Sequence, residues 1–136
     1  MRLQTAGTAE VLRDESCRVR LDPFQLPARI VYRGAVRAGS VSSANAAQQV
    51  AIIGAESVMI RRETGAGVPL YVTVPLSAYS GVLLSVHDAP EGRTVALRLQ
   101  HRNDDLDVPL FEADDTDDVI ADWQAWSRTL ARPLLI

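Results

Sequence analysis

The chain has 136 residues, of which 47% are hydrophobic and 23% are charged, and its formal net charge is −3. These values exclude a chain that is mainly disordered, and the single cysteine excludes a disulfide framework. The 14 basic residues are all arginines scattered along the sequence, and the pI is near 5.3. Binding to nucleic acid or to an anionic membrane requires a basic stripe, so we expect neither.

The first sixteen residues mix small, polar and charged types without a clear period. This composition predicts an N-terminal extension over residues 1–16, followed by a single domain over residues 17–136. No apolar segment of the signal-peptide type follows Arg2, and no apolar run approaches the roughly 18 residues of a membrane span. We therefore expect a cytoplasmic protein without a membrane span, in which Cys17 is a reduced and inert thiol.

The pattern after the extension is mostly that of short strands. A β-branched strand at 28–32 precedes a segment rich in Gly, Ser, Ala and Asn (34–49), which we interpret as a long loop. Residues 50–53 are all apolar and predict a buried strand, which a tight turn joins to a second arm over 57–63. In that arm Val58 and Ile60 lie on one face.

Alternation continues through the middle of the sequence. In residues 68–76 every second side chain is Val or Leu, as in a half-buried strand, and two prolines on the other face place this strand at an edge. Three further alternating segments are predicted at 81–87, where Val82, Leu84 and Val86 point inward, at 94–101, and at 106–110.

The last element has a helical period. Val119, Trp123, Trp126 and Leu130 share one helical face, which predicts an amphipathic helix over residues 116–131. We expect Trp123 in the core and Trp126 at the margin of the apolar stripe. Aspartates are concentrated at the start of the helix and arginines at its end, where their charges interact favourably with the helix dipole. Pro133 terminates the helix.

These elements predict a mainly β (α+β) fold. About seven short strands form an antiparallel sheet or barrel, and one C-terminal amphipathic helix covers its open end or face. This order of elements is the outline of the pleckstrin-homology-like superfold, an analogy that carries no function.

The candidate chemical sites are weak. His101 lies in a polar run with Asp104 and Asp105, but two histidines and one cysteine do not supply a structural zinc site. The acidic run 114–118 lacks the spacing of a calcium loop, and we interpret it as helix capping. The sequence contains neither the G-x-S-x-G motif of a nucleophilic serine nor the G-x-x-x-x-G-K-[ST] motif of a phosphate-binding loop. We therefore predict no catalytic residues, cofactor or metal.

The arginines offer one alternative. Arg33 and Arg37 form an R-x-x-x-R pair, which is half of the signature of PilZ domains, but residues 40–45 do not supply the other half. A phosphate-bearing metabolite or nucleotide could be held bidentately by arginines. The candidate residues for such a site are Arg29, Arg33, Arg37, Arg61 and Arg62.

Several motifs resemble a small, uncharacterised family of alphaproteobacterial proteins, a domain of unknown function. The similar segments are 21–27 (LDPFQLP), 58–62 (VMIRR), 74–82 (VPLSAYSGV), 106–110 (LDVPL), 115–118 (DTDD), 123–126 (WQAW) and 133–135 (PLL). The resemblance covers roughly residues 18–136. It implies a bacterial, cytoplasmic protein and assigns no activity, ligand or catalytic residue.

The function therefore stays unknown at this level, and two hypotheses remain open. The first is a non-enzymatic protein-interaction module or homodimer; the second is a small-ligand binder that uses arginines, and an enzyme is the least favoured class. The apolar C-terminal residues Leu134, Leu135 and Ile136 either pack back on the domain or meet a partner.

Overall fold

The computed structural model describes residues 17–33, 48–63, 67–114 and 116–136. In chain order its strands and helix are β1 (Cys17–Arg20), β2 (Ala28–Arg33), β3 (Gln48–Ile53), β4 (Ser57–Glu63), β5 (Pro69–Pro75), β6 (Tyr79–Ala89), β7 (Gly92–His101), β8 (Val108–Ala113), α1 (Val119–Leu130) and β9 (Leu134–Leu135). Short 3₁₀ helices lie at Leu76–Ala78 and Asp104–Leu106. One sheet has the order β2-β3-β4-β5 and the other the order β1-β8-β7-β6-β9.

The predicted fold class, mainly β with a C-terminal helix, is confirmed. The seven predicted strands correspond to β2 through β8, and β4 has the predicted bounds. The sequence did not reveal β1 and β9, because strands of four and two residues are too short to show a period. The two sheets do not close into a barrel, and the pleckstrin-homology-like arrangement stays a prediction. The proposed extension and most of the predicted 34–49 loop lie outside the described residues.

The core of the four-stranded sheet follows from its register. Residues opposite each other on antiparallel strands share a face, so Ile30, Ala51 and Ile60 form one inward row. All three side chains are buried, as the alternation in β4 predicts. The strand β5 lies at the edge of this sheet, also as predicted, because Pro69 and Pro75 cannot donate to a ladder.

The five-stranded sheet contains a long hairpin of β6 and β7, paired from Tyr79 to Ala89. Val82 is buried on it, but Val86 is 52% exposed, so the prediction that Val86 points into the core is wrong. At the edge of the hairpin β9 pairs parallel with β6, Leu134 opposite Val82, so the apolar C-terminal segment packs back on the domain.

The helix α1 lies against β6 and β7 and completes the core. Trp126 is fully buried, whereas Trp123 is only partly buried, which reverses the expectation for the two rings. The spacing places both on one face, but their depth depends on the sheet beneath them. The helix ends at Ala131, whose φ of 54° is left-handed, and the N–H of Arg132 donates to the carbonyl oxygen of Ser127.

The acidic start of the helix does more than oppose the dipole. Asp118 occupies the N-cap position, but its side chain makes no capping hydrogen bond, contrary to the capping interpretation. Asp118 and Asp122 pair instead with Arg20 of β1. The Arg20 Nε lies 3.1 Å from Oδ2 of Asp122, and the Arg20 Nη1 lies 3.4 Å from Oδ2 of Asp118. The helix is thereby fastened to the far edge of the five-stranded sheet.

Candidate functional site

One face of the four-stranded sheet points away from the core, and we call it the outer face. The register places the side chains that alternate with the buried rows on this face. Its members with described side chains are Arg29, Val31, Gln48, Val50, Ile52, Ser57, Met59, Arg61, Pro69, Tyr71, Thr73 and Pro75. No strand or helix of the described residues is layered over it, so the outer face is a candidate binding surface.

The outer face is unusually apolar for a solvent-facing surface. Val31, Met59 and Tyr71 are 41%, 38% and 58% exposed, and Val50 and Ile52 are half-buried between them. An antiparallel sheet with one wet face normally alternates apolar and polar residues, whereas β3 is apolar on both faces. The run 50–53 was predicted to be a buried strand, and half of it faces outward. Contiguous exposed apolar residues of this kind are typical of an interaction surface.

The structure separates the arginines that were proposed to hold a ligand. Arg29 and Arg61 lie on the outer face, whereas Arg62 lies on the opposite face of the sheet. Arg37 and the side chain of Arg33 fall outside the described residues. The described members of the set therefore do not converge on one ligand-sized point.

A second group of polar side chains lies at one end of the space between the sheets, and we call it the polar cluster. It comprises Tyr32, Gln49, Arg62, Tyr79 and Asp107. Arg62 Nη2 donates to the carbonyl oxygen of Asp105 at 3.1 Å, and the Tyr79 hydroxyl donates to that of Leu106 at 2.8 Å. Both bonds fix the 3₁₀ turn between β7 and β8.

Asp107 completes this arrangement from the same turn. It is almost fully buried, its Oδ1 accepts from the backbone N–H of His101 at 2.7 Å, and its Oδ2 lies 3.2 Å from Nε of Arg98. The sequence around Asp107 carries no sign of its burial, because an aspartate in an acidic turn is normally exposed. Its bonds compensate for the desolvation of the charge, so it serves as a brace of the turn.

His101 also has a structural role in this turn. Its Nδ1 accepts from the N–H of Asn103 at 2.8 Å, and its ring packs edge-on against that of Tyr79, with 5.2 Å between centroids. Among the residues that the structure describes, no three histidine, cysteine, aspartate or glutamate side chains are grouped so that they could hold a metal ion.

The two phenols of the polar cluster are held neutral. Burial raises the pKa of both Tyr32 and Tyr79 far above the usual 10, with a smaller contribution from the negative charge of Asp107. Arg62 partly opposes the rise in the pKa of Tyr32. Within the described part of the chain, the Tyr32 hydroxyl has no hydrogen-bond partner. Both phenols therefore stay protonated at physiological pH and well into the alkaline range.

In the described ranges, no helix is long and apolar enough to cross a bilayer.

Comparison with known proteins identifies a family and nothing more specific. No curated protein and no solved structure matches the chain. One family model matches residues 13–136, in agreement with the resemblance drawn from the motifs. The chain therefore belongs to DUF6101, a family of unknown function.

Proposed function

We propose that the chain is a non-enzymatic protein-interaction module whose outer face binds an acidic protein segment that also carries apolar side chains. The observation that carries the proposal is the group of exposed apolar residues, Val31, Met59 and Tyr71, which lie in two neighbouring cross-strand rows of a sheet face that nothing in the described chain covers. A small ligand needs a concave site, and the face of an open four-stranded sheet is not one.

The size of the outer face favours a transient partner. Four strands about 4.8 Å apart are roughly 19 Å wide, and strands of six or seven residues are roughly 20–23 Å long. The face thus covers about 400 Å², so an interface on it buries on the order of 800 Å² in total. Stable interfaces bury about 1,200–2,000 Å², and weak encounters bury less.

The charge of the outer face favours a partner other than a second copy. Arg29 and Arg61 are its charged side chains among those described, and both are cationic. Two outer faces stacked on each other would bring like charges together, whereas a carboxylate on a different protein would pair with Arg29. Guanidinium groups also bind carboxylates in a fixed, bidentate geometry, which adds specificity.

A non-enzymatic role is supported by the side chains that resemble catalytic groups. His101, Asp107 and Tyr79 are hydrogen-bonded to the turn between β7 and β8.

The single cysteine fits a reducing compartment, and we propose the bacterial cytoplasm as the location of the protein.

Site-specific photo-cross-linking tests the proposal. A photoreactive amino acid replaces Met59 in the full chain, expressed in its natural cells, and Ile120 on α1, which is 46% exposed, is the matched control. We expect one discrete cross-linked protein at position 59, with carboxylates in the cross-linked segment, and none at position 120. The additional change Arg29→Glu should remove the product.

Two results would contradict the proposal. One is a product at position 59 that consists of two copies of this chain. The other is a set of products that is the same at positions 59 and 120 or that is insensitive to Arg29→Glu.

A further inference from the structure

The two central strands of the outer face are hydrogen-bonded on both sides. β3 pairs with β2 and β4, and β4 pairs with β3 and β5. A protein segment that lies on this face therefore contacts side chains and gains no backbone hydrogen bonds from the central strands. Buried backbone N–H and C=O groups need partners, so such a segment must satisfy its own main chain, as an α-helix does.

The width of the outer face also fits a helix. Val31, Val50 and Tyr71 lie in one cross-strand row that runs from β2 to β5. Three strand spacings of about 4.8 Å make this row about 14 Å wide. A single extended segment covers about one spacing, whereas a helix with its side chains is about 10–12 Å in diameter. One helix along the strands therefore covers most of the row, and one extended segment does not.

Arg61 favours a helix over a second sheet. It lies in the same row, between Val50 and Tyr71, and its side chain is half-buried. A flat sheet over this face would enclose the guanidinium group, and burial of a charge is costly. The curved flank of a helix leaves space through which the long arginine side chain reaches water.

The row that contains Arg29 carries its charge at one end. Arg29 is exposed on the edge strand β2, level with Ile52 and Met59, and the row ends at the neutral Thr73 on β5. A carboxylate that pairs with Arg29 must therefore lie at one margin of the apolar stripe of the helix, on the β2 side.

We propose that the partner of the outer face is an amphipathic α-helix of a different protein, which lies along β3 and β4 with a carboxylate on Arg29. This inference rests on the proposed function and names the form of the segment that binds. A helix packs nearly along the strands of a twisted sheet. About 13–15 helical residues match the strand length of roughly 20–23 Å, with apolar side chains at i, i+3, i+4 and i+7.

The spacing of cross-links along the partner tests the helix. A photoreactive amino acid replaces Gln48, Ile52 or Met59 in separate variants of the full chain, expressed in its natural cells. Gln48 and Ile52 are about 13–14 Å apart along β3. This distance corresponds to about nine residues of a helix but to about four residues of an extended segment. We expect the sites cross-linked from Gln48 and Ile52 to lie about nine residues apart in the partner.

Met59 calibrates this measurement. It lies opposite Ile52 on the neighbouring strand, so the two positions are at the same level along the proposed helix. The sites cross-linked from Ile52 and Met59 should therefore lie within about four residues of each other.

A second experiment locates the carboxylate. The chain has no lysine, so Arg29→Lys provides its one side-chain amine, which a carbodiimide couples only to a carboxylate in direct contact. Arg128→Lys, at an exposed position of α1, is the matched control. In an extract of the same cells, we expect Arg29→Lys to couple to an Asp or Glu of the partner within about four residues of the site cross-linked from Ile52. Arg128→Lys should not couple to this partner.

Three results would overturn the helix and leave the proposed function standing. The first is a spacing of about four residues between the sites cross-linked from Gln48 and Ile52, which indicates an extended segment. The second is a set of sites far apart in the partner sequence, which indicates the surface of a folded sheet or domain. The third is coupling of Arg29→Lys to the partner only at carboxylates remote from the Ile52 site. Absence of a discrete cross-linked protein from Met59 would instead contradict the proposed function, and this inference with it.

Discussion

Trp123 donates its indole N–H to the carbonyl oxygen of Val82 at 2.8 Å, and the N–H of Val82 donates to Pro133 at 2.8 Å. A single residue of β6 thus holds both the helix and the strand that follows it. This relationship explains why the apolar C-terminal segment lies on the domain.

The two tryptophans should differ in their contributions to stability. Trp126 is fully buried, so Trp126→Ala should lower the free energy of unfolding by about 3–5 kcal/mol. Trp123→Phe keeps most of the ring and removes one hydrogen bond, so it should cost about 0.5–1.5 kcal/mol. Urea denaturation of both variants checks the order, and a larger loss for Trp123→Phe would contradict the placement of the helix.

Gly81→Ala should loosen β9. A Cβ atom at residue 81 would lie 2.5 Å from the Pro133 carbonyl oxygen and 2.7 Å from Cγ of Leu135, so one strand must move. We expect a loss of about 1–3 kcal/mol and faster hydrogen exchange of the Val82 amide. Gly92→Ala, at the β6–β7 turn, has open space around its Cβ but strains a positive φ of 138°, so it is the control for a loss of stability that does not involve β9. An unchanged Val82 amide in Gly81→Ala would show that β9 does not depend on this close approach.

Ala131→Gly should stabilise the protein. The left-handed φ of 54° is unfavourable for alanine but not for glycine, and the expected gain is about 0.5–1 kcal/mol. Ala121→Gly, at an exposed position inside the helix, should cost about the same amount. Thermal unfolding of both variants measures the two opposite shifts, and equal signs would contradict the assigned end of the helix.

The two acids that pair with Arg20 should be unequal. The Asp122 side chain is 10% exposed and accepts from two guanidinium nitrogens at 3.1 Å, so Asp122→Ala should cost about 1–2 kcal/mol. The Asp118 side chain is 63% exposed and lies 3.4 Å away, so Asp118→Ala should cost at most about 0.5 kcal/mol. Chemical denaturation at low and high salt distinguishes the two ion pairs, because salt weakens the exposed Arg20–Asp118 pair more than the buried Arg20–Asp122 pair.

The polar cluster predicts a loss of stability at alkaline pH. Burial raises the pKa of Tyr32 and Tyr79 in the folded protein, so the phenols stay protonated there while those of the unfolded chain ionise above pH 10. The contribution of the two phenols to the free energy of unfolding is therefore complete below about pH 10. Above that pH the free energy of unfolding falls by at most about 1.4 kcal/mol per pH unit for each phenol. Urea midpoints between pH 9 and 11 measure this slope.

Substitutions identify the groups responsible for that slope. Tyr32→Phe and Tyr79→Phe should each reduce it, and Tyr71→Phe, at an exposed tyrosine of the outer face, should not. A slope that none of the three variants changes would assign the alkaline unfolding to groups outside the polar cluster.

Much of the fold could be predicted because alternation and helical spacing are local properties. The bounds of β4, the edge position of β5 and the apolar face of α1 all follow from side-chain periods within one segment. The exposure of Val86 and the depth of Trp126 do not, since both depend on which layer lies above them. A period shows which residues share a face, but it does not show what covers that face.

The candidate surfaces were harder to foresee for the same reason. The run 50–53 looks like a buried strand, and only the order of the sheets shows that Val50 and Ile52 face outward. The arginine hypothesis grouped Arg29, Arg61 and Arg62, but the two-residue period of β4 places its neighbouring arginines on opposite faces. The role of Asp107 is visible only in the structure, from its burial, its hydrogen bond from the His101 N–H and its ion pair with Arg98.

The attachment of Trp123 and Pro133 to Val82 also bears on the order of events during synthesis. Residue 82 leaves the ribosome some forty to fifty residues before Trp123 and Pro133, so the hairpin of β6 and β7 can form before these two described partners of Val82 have been made. An exposed strand edge on a nascent chain promotes pairing with neighbouring chains. Slow translation through the helix-coding region should therefore increase aggregation of this protein more than an equal delay within residues 48–63.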